Sequence, residues 1–327
     1  MKIIITAILT LGLMGAPTSK WEKKMSKWEK EKFAQELALK YCTNAKTIAA
    51  NAKMPISQFT NADEMNDVIV AFDTYIHENY HAYNWKINDD PDCRKYYIND
   101  NLILKVRKMK VFNSVKINRI MDKQLQKKVF RYDTYIGNRL TSPIHDSQVN
   151  GIYGLLEEFA AYYQGSTATI ELNRFIYENF GYNEFEPWFD YLTIPTSSYY
   201  ALYEFQLFIS WYLQYARDYE PEIYRQILNN ESLKLAYTVI ISNFKKEVEQ
   251  YFLIREIVLA KFQKRFDLRD EYLYVDEDGD GFYESGLGIP DDDIKFLKAE
   301  LRKPEHQILS KLRLSPSEMQ NQLALAK

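Results

Sequence analysis

Cysteine, histidine, glycine and proline are all scarce in this chain, at 2, 4, 11 and 10 among 327 residues. So few glycines and prolines argue against a turn-rich all-β fold and lean towards helices. An excess of one charge sign is missing too: the net charge is −3 with both signs interspersed, which excludes the basic face that a nucleic-acid partner requires. Nor does the chain begin with an apolar run of the roughly 20 residues that spans a bilayer. Its opening run, residues 3–15, follows Lys2 and ends at Gly15-Ala16. That is the pattern of a signal peptide over residues 1–16, and it predicts a secreted or periplasmic protein with no transmembrane segment after removal. The other reading of this stretch is a buried N-terminal helix. Cys42 and Cys93 form either one bridge closing a long loop or two unpaired thiols.

Apolar and aromatic residues are plentiful, at 46% and 15% with 26 tyrosines, which is enough for a sizeable core and excludes disorder over most of the length. The length suits one large domain or two modest ones, at roughly 100–200 residues each. After the signal, SKWEKKMSKWEKEKFAQELALKYC reads as a charged amphipathic helix, its two SKWEK copies one heptad apart on a solvated face. A second helix is expected from Thr60 or Asn61 as N-cap, with Met65, Val68, Ile69, Phe72 and Ile76 at helical spacing. Between residues 101 and 121, Val106, Val111, Val115 and Ile117 alternate with basic residues, predicting one or two half-exposed strands. A strand near 110–118 would offer an edge on which an extended peptide can pair. Long aromatic helices are expected at 201–219 and 233–266. From 268 to 327 an acidic, glycine-containing segment begins a small C-terminal piece, leaving 17–267 as the main domain.

Two of the four histidines stand in one pentapeptide, His77-Glu78-Asn79-Tyr80-His81, on the second half of the helix that Met65 begins. Histidines four apart point from one helix face, so a single zinc can accept both nitrogens at about 2.0–2.1 Å. Glu78 stands about 100° round the helix, beside such a metal and placed as the general base for its water. Catalytic zinc usually keeps three protein ligands. His145 and His306 are the only other imidazoles, and the helix GLLEEFAAYY supplies two carboxylates, Glu157 and Glu158. Alanines three residues after them would let that helix pack closely on the histidine helix.

HENYH followed downstream by EEFAAY resembles the gluzincin branch of zinc metallopeptidases. The resemblance implies a mainly α (α+β) fold with a zincin-like core, a small sheet and a long helical C-terminal part. It implies Zn2+ on His77 and His81, with Glu158 as third ligand because a polar residue precedes it, and Glu157 as the alternative. It further implies hydrolysis of a peptide or protein substrate by zinc-activated water with Glu78 as base. Tyr162 is expected to orient a histidine. Tyr132, Tyr135 and His145 are candidates to stabilise the oxyanion. The sequence departs from thermolysin-like members in having Tyr162 four after Glu158, where they carry aspartate. A non-catalytic secreted protein with a structural or vestigial zinc site, acting as a binding module, is the contrasting expectation.

In the tail, DEDGDG places Asp276, Asp278 and Asp280 at positions one, three and five of a calcium-type loop, with Gly281 at six and Glu284 at nine. Leu287 stands where position twelve calls for a bidentate glutamate, so Ca2+ is expected only in an incomplete loop.

Overall fold

The computed structural model describes residues 21, 23–61, 63–137, 146–269, 272–276, 279–281 and 291–325. The expected signal peptide, His145, Asp278 and Glu284 lie outside the described residues.

The chain is mainly helical. It opens with α1 (Lys27–Tyr41), α2 (Ala45–Ala50) and α3 (Met65–Ile87), followed by a hairpin of β1 (Cys93–Asn99) and β2 (Leu102–Arg107). Short elements come next: α4 (Lys123–Lys128), α5 (Tyr132–Tyr135) and α6 (Asp146–Val149). The bulk is then α7 (Ile152–Glu171), α8 (Asn173–Phe180), α9 (Glu186–Tyr199), α10 (Ala201–Tyr219), α11 (Pro221–Leu228) and α12 (Glu231–Lys261). A second hairpin, β3 (Phe266–Arg269) with β4 (Tyr272–Val275), leads to α13 (Asp291–Leu301), a 3-10 helix Pro304–Leu312 and α14 (Pro316–Leu325).

The centre of the molecule is α7, which packs against α3, α9, α10, α12 and β1. It is buried almost all round, including Gln164, Ser166, Thr167 and Thr169, as a helix with no solvent face must be. One apolar cluster runs from Trp21 to Leu312, and Ile294, Leu297, Ile308 and Leu309 belong to it. The apolar cluster thus continues past residue 267 into the C-terminal segment.

Local expectations hold where one element decides them. The helices α7, α10 and α12 fall on the three apolar periodic stretches, although α12 stops at Lys261 and Phe266 opens β3. The two SKWEK copies part company. Ser26 caps α1 through a reciprocal pair with Glu29, so the helix starts only at the second copy. Trp28 is 69% exposed, whereas Trp21 is buried and its indole donates to Asp190 Oδ2 at 2.7 Å. From Lys23, the last residue of the first copy, the chain pairs with the residues before α3: Met25 N bonds Asp63 O at 2.6 Å and Met65 N bonds Lys23 O at 3.0 Å. That pairing holds Asp63 and Glu64 out of helix, and α3 begins at Met65 and not at Asn61.

The strand expected near 110–118 is absent, and with it the peptide-pairing edge placed there. Alternation holds only over β2, where Leu104 and Val106 are buried and Ile103, Lys105 and Arg107 are exposed. Beyond it the backbone finds tyrosine hydroxyls in place of a neighbouring strand. Tyr153 Oη accepts from Met109 N at 2.9 Å and donates to Arg107 O at 2.8 Å. Tyr212 Oη accepts from Phe112 N at 3.0 Å and donates to Phe112 O at 2.9 Å. Residues Ser114–Arg119 then form a 3-10 helix. Cys42 and Cys93 are both free, the first buried with Sγ 3.5 Å from Ala168 O.

Candidate metal centre

Helix α3 presents His77 and His81 on the face that meets α7. Asn79, between them and fully buried, points the other way and pins the preceding loop. It donates to Met54 O and Tyr75 O and accepts from Lys53 N and Met54 N, at 2.9–3.1 Å. The three bonds to Lys53 and Met54 fix the roll of α3 about its axis, and so the direction of both imidazoles. At the far end of the helix, Asn88 donates to Asn84 O and Lys95 O and accepts from Lys95 N, tying β1 to α3.

From the facing helix, Glu158 completes a triangle. His81 Nε2 lies 3.2 Å from His77 Nε2 and 3.3 Å from Glu158 Oε2, and His77 Nε2 lies 3.6 Å from the same oxygen. Bonds of about 2.0–2.1 Å at tetrahedral angles put ligand atoms roughly 3.3 Å apart, so these three fit one tetrahedral ion with a fourth vertex left over. Three like-seeking acceptors this close are otherwise mutually unfavourable, unless protons or a cation lie between them. Burial disfavours charge on His81, yet its hydrogen bonds with Glu157 and Glu158 outweigh that and lift its pKa to about 10. Burial likewise opposes ionisation of Glu158, but the two histidines hold its carboxyl well below the usual range.

The surroundings divide the expected residues by role. Glu157 approaches the other side of His81, with Oε1 3.4 Å from Nδ1, and its Oε2 is 3.7 Å from Arg94. It therefore orients the ring that Glu158 meets at Nε2. Tyr135 donates to Glu158 Oε2 at 3.0 Å and is buried behind that carboxylate, away from the cleft. Tyr162 packs its ring edge-on against His77, with centroids 4.4 Å apart, and its hydroxyl lies 3.3 Å from that of Tyr135. It meets His77, the histidine it is expected to orient, by ring packing. Tyr132 is turned to Asn118 and takes no part. Glu78 is 41% exposed with Oε1 3.9 Å from His77 Nε2, beside the triangle and not in it.

A cleft of about 460 Å³ opens over this group, lined among others by Glu78, His81, Arg94, Asn150, Glu157 and Glu158, with the 75% exposed Trp85 also on its wall. Arg94 and Trp85 carried no signal in the sequence: an arginine in a strand and a tryptophan near a helix end are ordinary until α3, β1 and α7 come together. A second cleft of about 490 Å³, between α10, α12 and α13, contains no histidine.

In the acidic tail, the buried Asp276 carboxylate accepts from Gly279 N at 2.7 Å and Gly281 N at 3.1 Å, folding the loop onto itself. Both glycines take the positive φ, 83° and 88°, that this tight closure needs. Asp280 is exposed. Among the described residues, no helix is long and apolar enough to cross a membrane. Comparison of the chain with protein-family models, with curated proteins and with solved structures gives no match.

Proposed function

We propose that this protein is an exported zinc-dependent peptidase of gluzincin type. The observation that carries this is the triangle of His77 Nε2, His81 Nε2 and Glu158 Oε2, with edges of 3.2–3.6 Å, of which His81 and Glu158 line a cleft that also holds Glu78. Export rests on the N-terminal pattern of Lys2 and the apolar run after it.

His77, His81 and Glu158 would hold the zinc, which when bound would polarise a carbonyl oxygen and acidify a water. Each nearby side chain then has one task. Glu157 holds the Nδ1 proton of His81, which leaves the Nε2 lone pair facing inward. Tyr135 steadies Glu158 through its hydroxyl and is a positioning residue. Glu78, half-exposed on the cleft wall, accepts a proton from the attacking water and returns it to the leaving nitrogen. Arg94 is a charged donor on the cleft wall, where a substrate carbonyl or carboxylate would be met.

The experiment is to load the chain with zinc and measure hydrolysis of a mixed peptide library by mass spectrometry, alongside Glu78→Gln. General acid–base residues contribute about 10²–10⁴-fold, so turnover is expected to fall by that factor with zinc content unchanged. Equal turnover in the variant would remove Glu78 from this role. Absence of hydrolysis by the intact zinc-loaded chain would leave a zinc-binding protein without catalysis.

A further inference from the structure

A second convergence of ligand atoms lies far along the chain, where α13 passes into the 3-10 helix Pro304–Leu312. One atom each from Glu300, Glu305 and His306 lies within 4.8 Å of the others. His306 is 2% exposed and Glu300 6%, while Glu305 is on the surface. The imidazole is fixed at its other nitrogen: Nδ1 meets Ser210 Oγ of α10 at 2.8 Å, and the ring of Trp211 stands edge-on to it. Its Nε2 is enclosed without a hydrogen-bond partner and points at Glu300 Oε1, 3.5 Å away.

We infer that Glu300, Glu305 and His306 form a second divalent-cation site, suited to zinc, which fastens the C-terminal segment onto α10. In the tautomer whose Nδ1 donates to Ser210 Oγ, the imidazole presents a lone pair at Nε2, as metal-bound histidines do. Here that lone pair would face two carboxylates. Lys303 engages Glu300 Oε2 at 2.6 Å and leaves Oε1 facing His306. One imidazole with two carboxylates suits zinc. Glu305, being exposed, has the freedom to swing onto the ion from the solvent side. The bound ion would join three parts of the fold: α13 through Glu300, the 3-10 helix through Glu305 and His306, and α10 through Ser210.

The test counts zinc in a background without the first site, so it stands or falls independently of the peptidase proposal. The double variant His77→Ala/His81→Ala, titrated with zinc chloride after chelator treatment, is expected to retain one equivalent and to melt at a higher temperature once that zinc is added. Adding Glu305→Gln, an exposed change that leaves the core intact, should abolish both the equivalent and the rise in melting temperature. Adding His306→Asn should do the same, and in the otherwise intact chain either substitution should spare peptide hydrolysis. No zinc bound by the double variant, or zinc that survives both Glu305→Gln and His306→Asn, overturns the site and leaves His306 as a donor to Glu300.

Discussion

Glu157 and Glu158 are the same residue type at adjacent positions, and their surroundings give them different work. Glu158 meets both histidines at Nε2, while Glu157 meets only the outer nitrogen of His81. Glu158→Gln is therefore expected to abolish zinc retention. Partners of metal ligands typically contribute about 10–100-fold in affinity, so Glu157→Gln and Tyr135→Phe should each weaken zinc binding by that factor, measured by competition with a chromophoric chelator. Asp73, one turn before His77, makes a second residue-scale case. Burial raises its pKa from 3.8 to about 6, with the charges of His77 and Arg131 offsetting part of the effect. A carboxyl with a raised folded-state pKa stabilises below its unfolded value, and that contribution is lost as pH rises through the folded value. Stability of the chelator-treated chain should accordingly fall between about pH 4 and pH 6, and Asp73→Asn should flatten that part of a urea-denaturation pH profile.

Two elements, α3 and α7, carry the site, and their closeness rests on small residues. Ala160 and Ala161 are fully buried between Glu157 and Glu158 and the rest of α7. One turn further, Gly165 lies so near α3 that an added Cβ would stand 2.3 Å from Asp73 Oδ1 and 2.8 Å from its backbone oxygen. Alanine at this position gains about 1 kcal/mol of helix propensity but overpacks the contact, at a cost of roughly 1–3 kcal/mol. Because the clash includes backbone, we expect Gly165→Ala to lower the urea midpoint and to spread the ligand triangle, seen as a parallel loss of zinc affinity. An unchanged midpoint would show that the two helices have room to slide. The same dependence on neighbours explains the missing strand after Arg107. Beyond β2, Tyr153 and Tyr212 satisfy the backbone of Arg107, Met109 and Phe112 from the side, where a strand would need a neighbouring strand.

Across the whole molecule, a buried ion pair links the turn before α5 to α10. Arg131 Nη1 lies 2.6 Å from Glu204 Oε2, and both residues are almost fully enclosed. The guanidinium also covers the ring of Tyr162, 4.3 Å from its centroid, and that ring supports His77. Removing one partner of a buried pair strands the other's charge, so Glu204→Gln should cost about 3–5 kcal/mol in denaturant titrations. Much of this architecture was legible beforehand. Helix positions, the shared face of His77 and His81 and the sideways placement of Glu78 depend on residues a few positions apart, and 3.6-residue periodicity is a local property of the chain. The sequence by itself thus determined that the protein is mainly helical and that two imidazoles leave α3 together. Only the tertiary structure decided that Glu158 closes the triangle while Glu157 orients His81, that Tyr135 stands behind the carboxylate, that Arg94 and Trp85 wall the cleft, and that residues 108–113 are not a strand. Those outcomes depend on how α7 is rolled and spaced against α3 and β1. That roll is set by the simultaneous packing of many distant side chains, and no spacing within one element encodes it.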